Sequence, residues 1–143
     1  MFSYNIHTSI DIDASAAAIW RVLTDFGRFD DWNPMLRRVR VDLEPGAAVS
    51  FEVHRVGARP LRLRAKIVLL NEPDALAWRG GWQGILSGEH FFRIESLAEK
   101  RCRFHHGEQP RGGQGRMTPP TVTCSMYQYS PCLEHWNTIC WAP

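Results

Sequence analysis

Lysine is almost missing from this chain: Lys66 and Lys100 stand against fifteen arginines. That excess reflects genome composition more than function. Balanced by 15 acidic residues, it leaves a formal net charge of +2, too little to direct the chain to nucleic acid or an anionic membrane surface. Long apolar runs are missing too. The longest run of Ile, Val and Leu is Ile67 to Leu70, far short of the ~20 residues a membrane helix needs. The opening MFSYNIHTSIDID has neither a basic n-region nor an apolar h-region, which predicts no secretory leader and a cytoplasmic protein. Cys102, Cys124, Cys132 and Cys140 lack the C-x-x-C pairing of a zinc site. With no export expected they read as free thiols, and neither a metal nor another cofactor is expected.

Charge is also scarce in one part of the chain. Residues 110–143 carry only Arg111, Arg116 and Glu134 as charged residues, yet hold five of the nine prolines and three of the four cysteines. A terminal helix packed on a core would be charged on one face and apolar on the other. Gly112, Gly113, Gly115, Pro119 and Pro120 instead predict a loop. Ser130-Pro131 can open a short helix over 131–141, with Leu133, Trp136 and Cys140 on one face. The chain thus divides into residues 1–110, with ordinary globular patterning, and an atypical tail over 111–143.

Within the first part, hydrophobicity alternates. With 143 residues and 44% hydrophobic content, one domain with a substantial core is expected. Tyr4, Ile6, Thr8, Ile10 and Ile12 alternate with polar residues as in a half-buried strand. Ser15 caps a predicted helix over Ala16–Thr24, in which Ala16, Ile19, Trp20 and Leu23 recur at helical spacing. Phe26, Phe29 and Trp32 offer a second short apolar stripe, which Pro34 ends by disfavouring helical backbone at Asn33. Strands are predicted at about 35–43, 47–56, 61–71, 74–80, 85–97 and 101–109, with Glu44-Pro45-Gly46 and Asn71-Glu72-Pro73-Asp74 as turns. Val49, Phe51 and Val53 share one face, as do Leu61, Leu63, Ala65, Ile67 and Leu69, and Leu76 and Trp78 continue it. An apolar face over so many strands with two short helices to cover it must curl on itself or be covered by another element.

The last two strands place polar residues on that face. A hairpin turning through Ala98-Glu99-Lys100 pairs Ile94 with Phe104, Phe92 with His106 and His90 with Glu108, the register that sets apolar beside apolar. His90 and Glu108 then satisfy each other as a cross-strand pair, or serve as the few polar groups of an apolar pocket. As a catalytic pair they would supply a carboxylate whose pKa an apolar site raises. A metal reading, with His106 as third ligand, has no supporting motif. Trp20, Trp32, Trp78 and Trp82 read first as core. Trp82 differs because Gly80, Gly81 and Gly84 surround it, which places it in a loop able to gate a cavity mouth. Asn33 reads as a turn former before a pocket hydrogen-bonder.

Three segments together, IDASAAAIWRVLTDFGRFDDWNP, GGWQGILSGEHFFRI and RFHHGE, resemble the START-like (SRPBCC) superfamily in its polyketide cyclase/dehydrase and lipid-transport branch. The resemblance spans about residues 3–109. It implies an α+β helix-grip fold, a curved antiparallel sheet of about seven strands around a cavity, closed by a long C-terminal helix. Here the chain after Arg111-Gly112 departs from that pattern, as a replaced or frame-shifted end would. Trp32, Asn33, Trp82, His90, Phe92, His106 and Glu108 fall on the motif positions, and Phe51, Leu63, Trp78 and Phe104 complete the expected ligand-binding set.

The expected function is binding of a small hydrophobic or aromatic molecule in an internal cavity. One alternative is a cyclase or dehydratase using His90 or Glu108 as acid or base. Another is a non-functional, truncated or frame-shifted member, or a homodimer that covers the open sheet face. No catalytic set is shared across the superfamily, so the fold alone does not make this an enzyme.

Overall fold

A computed structural model describes residues 6–54, 57–80 and 88–110. Strand β1 (Ile6–Ile12) leads into helix α1 (Ala16–Thr24), a 3-10 turn at Phe26–Arg28 and the one-turn helix α2 (Phe29–Trp32). Strands β2 (Leu36–Val41), β3 (Ala48–Val53), β4 (Leu61–Asn71), β5 (Ala75–Gly80), β6 (Gly88–Ala98) and β7 (Arg101–Pro110) follow. All seven join one antiparallel sheet in the order β1-β7-β6-β5-β4-β3-β2. Each consecutive pair from β2 to β7 is a neighbour, and β1 closes onto β7 through the longest-range contact of the sheet. This curled antiparallel α+β sheet with its helical insert is the sheet of the helix-grip fold that the family resemblance implies. The atypical tail, its short helix at 131–141 and the Trp82 loop lie outside the described residues.

Local chemistry places the helices where the sequence reading put them. Ser15 has extended backbone and its Oγ accepts the Ala18 N–H at 3.3 Å, so the first turn is capped. Ile19, Trp20 and Leu23 face inward and are buried, and α1 contacts β6. Asn33, forced out of helical backbone before Pro34, ends α2 with φ −105° and ψ 105°. Its Oδ1 accepts both the Met35 N–H at 3.0 Å and the Leu36 N–H at 2.8 Å, which starts β2. Asn33 is therefore the turn former.

One facing assignment needs correction. Leu69 belongs to the expected inward set, but the β4–β5 register slips between Ile67 and Leu69. The extra residue of this bulge turns Val68 and Leu69 outward, at 44% and 47% exposure, and Leu70 resumes the inner face opposite Leu76. A second bulge in β2 holds Arg38 at φ 53°, where its N–H reaches Asp30 Oδ1 at 2.7 Å. Gly80 has no substitute at its position: a Cβ there would meet the Arg64 carbonyl and lie 2.5 Å from Ala65 Cα. Among the described residues, no helix is long and apolar enough to cross a membrane.

Candidate functional site

Two cross-strand rows build the centre of the inner face. One runs Leu76, Phe92, His106 and Thr8 across β5, β6, β7 and β1. The other runs Trp78, His90 and Glu108 across β5, β6 and β7. The expected β6–β7 register therefore holds, with Ile94 opposite Phe104 as well. Because side chains alternate along strands, these residues share a face and their rings meet. Trp78 and His90 stack with centroids 5.4 Å apart and planes 9° apart. Phe92 and His106 stack at 4.8 Å and 3°, and Phe104 stacks on Phe92 at 6.0 Å. Phe92 meets both Trp78 and His90 edge to face. The result is a continuous wall of indole, imidazole and phenyl rings.

The polar atoms of this wall are few and constrained. His90 Nε2 and His106 Nε2 lie 2.6 Å apart. One of these nitrogens must carry the hydrogen and the other accept it, so in the neutral pair the two rings take opposite tautomers. Burial pushes the His90 imidazole down to about 3, and burial together with the charge His90 would carry pushes His106 well below the ordinary histidine range. Glu108 lies half-buried beside this pair, opposite His90 in register, with its carboxylate over Gly88. A Cβ on Gly88 would come within 2.9 Å of Glu108 Oε1, so the glycine makes the room that the carboxylate occupies. Trp78 Nε1 is buried without a hydrogen-bond partner among the described residues.

The remaining expected residues divide by position. Phe51 reaches the wall, its ring 6.1 Å from Trp78, and Leu63 pairs with Phe51 across β3 and β4. Both are only half-buried, as are Leu61 and Ala65, so the β3–β4 end of the inner face is its less covered end. Trp32 and Asn33 stand instead in the connection from α2 to β2, where Trp32 packs on Phe29 at 4.2 Å. An open groove of about 430 Å³ between Phe26–Gly27 and strands β2 and β3 lies apart from the ring wall.

A polar chain on the opposite face escaped the sequence reading. His105 Nε2 donates to Glu95 Oε2 at 2.9 Å, which leaves its Nδ1 to accept from His7 Nε2 at 3.0 Å. Its hydrogen bond to His105 holds the Glu95 carboxyl below the ordinary range, and burial, with the charges of His105 and Arg93, lowers His7. Alternation alone turns His105 outward once His106 faces in. Its partner on β1 is visible only once the β1–β7 register is known. Among the described residues, no group of three or more His, Cys, Asp or Glu is arranged to hold a metal ion.

Residues 4–118 match the family described as polyketide cyclase / dehydrase and lipid transport. No curated protein matches the sequence significantly. Solved structures with the same fold include a major latex-like protein from Panax ginseng, at 8% identity and TM-score 0.69, covering 99% of this chain and 100% of that one. A START superfamily protein from Mycobacterium smegmatis matches at 16% identity and TM-score 0.63, with 92% and 90% covered. Norcoclaurine synthase from Thalictrum flavum, solved with dopamine and hydroxybenzaldehyde, matches at 17% identity and TM-score 0.57, with 75% and 68% covered. At such identities the likeness concerns the fold alone.

Proposed function

Because this chain belongs to the polyketide cyclase / dehydrase and lipid transport family, we propose that it holds one small, largely apolar or aromatic molecule against the inner face of its sheet. The observation that carries this reading is the ring wall of Trp78, His90, Phe92, Phe104 and His106, apolar in area and interrupted by a few fixed polar atoms. That composition suits a ligand site, in which area gives affinity and sparse polar groups give orientation. On this reading His90, His106 and Glu108 orient the polar end of the ligand, Phe51 and Leu63 line the less covered end, and Trp82 gates the mouth. Residues 1–110 form the unit that carries the wall, with 111–143 as a separate tail.

The test is thermal unfolding with a panel of uncharged aromatic compounds. A bound ligand at a hundred times its Kd adds about 2.7 kcal/mol, which raises Tm by several degrees. A sharp transition that no member of the panel shifts counts against the reading.

One observation favours a catalytic second reading. The His90–His106 contact lets a proton enter at one imidazole and leave from the other as the tautomers exchange, the property a cyclisation or dehydration step requires. An enzyme on the same fold, norcoclaurine synthase, adds that the architecture hosts catalysis. The His90→Gln substitution separates the two readings. In a binder it weakens affinity modestly, whereas in an enzyme turnover collapses with affinity nearly retained.

A further inference from the structure

The two faces of the sheet carry charge very unequally. Every lysine and arginine among the described residues is exposed except Arg103, which is half-buried on the outer face in an ion pair with Asp11. On β4, Arg62, Arg64 and Lys66 all alternate with the inward residues and point away from the wall. Among the described residues of the inner face, the single formal charge is the carboxylate of Glu108. The neighbouring histidines are kept neutral by burial. An anionic group brought to this wall would lose its water, find no cation among the described residues, and approach Glu108.

Beside Glu108's neighbour His90 stands a polar group of the opposite kind. Trp78 is 1% exposed, and its indole N–H, which can only donate, has no partner among the described residues. A buried donor of this kind loses free energy until an acceptor arrives.

Resting on the ligand-binding reading above, we infer that the molecule held at the ring wall is an uncharged aromatic compound whose acceptor oxygen sits on Trp78 Nε1, and that carboxylates and other anions are rejected. The site thus discriminates by charge: a ketone, ester or phenol ether enters, and the corresponding acid does not.

The experiment is a fluorescence titration of the full chain with N-phenyl-1-naphthylamine, which is uncharged, followed by its displacement with three compounds of one aromatic body. These are methyl 2-naphthoate, 2-naphthoate and 2-ethylnaphthalene. The ester is expected to displace the probe at several-fold lower concentration than the hydrocarbon, and the carboxylate to be weaker than the ester by about thirtyfold or more. Equal displacement by ester and carboxylate, with the probe bound, overturns the charge inference and leaves the ligand-binding reading standing. Failure of the probe and the ester to bind at all removes that reading and the inference with it. Trp78→Phe keeps an aromatic side chain and removes the N–H, so the ester should fall to the level of the hydrocarbon. A persisting ester advantage, in a variant that still binds the probe, overturns the assignment to Trp78. Glu108→Gln should improve the carboxylate a few-fold relative to the ester. An equal change for both compounds overturns the part given to Glu108.

Discussion

Two buried imidazoles give the inner wall both its polarity and a pH signature. In the unfolded chain each histidine takes up a proton near pH 6.5, while in the fold burial holds both neutral far below that, His90 to about 3. The folded pKa is depressed, so this contribution is intact above about pH 6.5 and is lost as pH falls, because the unfolded state then binds more protons. Each such histidine steepens the loss by up to ~1.4 kcal/mol per pH unit. His7, also lowered, adds to the loss with the same sign. Asp11, Glu52 and Glu95, held low by their hydrogen bonds to Arg103, His54 and His105 respectively, add the same sign only below their ordinary range near pH 4. Urea unfolding between pH 7.5 and 5 should therefore show a falling stability that the double substitution His90→Phe, His106→Phe flattens. Equal slopes for the two proteins would mean that the pair is not buried neutral. At the same scale, alternation in the sequence marked His90, His106 and Glu108 as inward and set His90 opposite Glu108, as the register has it. The His90–His106 contact joins the two rows at a distance no strand pattern encodes.

At the scale of elements, the bulge in β4 separates what alternation predicts from what the sheet adopts. Strict period-two reading sets Leu69 beside Ile67 on the inner face. The slip between them leaves Ile67 3% exposed and Leu69 outward. Leu69→Lys should accordingly change stability by no more than about 0.5 kcal/mol, while Ile67→Ala should cost about 2–5 kcal/mol. Chemical denaturation of both variants decides the point, and a large loss from Leu69→Lys would contradict the bulge. Capping is a local matter and was readable from Ser15 alone, so Ser15→Ala should cost about 1 kcal/mol by the same measurement. The outer chain His7–His105–Glu95 lies between these cases. Each residue's face follows from alternation, but their meeting depends on β1 crossing the whole chain to pair with β7.

Across the described residues, the densest pairing joins β6 to β7, which carry buried Phe92, Ile94, Cys102 and Phe104, whereas β2 stands at a sheet edge. Native-state amide exchange should therefore be slowest at Phe92 and Phe104 and faster at Val41. The reverse order would place the stable core elsewhere. By itself the sequence determined the elements, most of their faces and the β6–β7 register, because propensity, capping and alternation act over a few neighbouring residues. It also placed Arg62, Arg64 and Lys66 on the outer face of β4, since they alternate with its apolar residues. Only the tertiary structure decided that Trp78 would hold a buried N–H without a partner among the described residues, that Gly88 would yield its place to Glu108, and that two histidines sixteen residues apart would share one hydrogen. Those outcomes depend on how separate strands curve and approach, and the energy of that approach belongs to pairs of residues that no local pattern brings together.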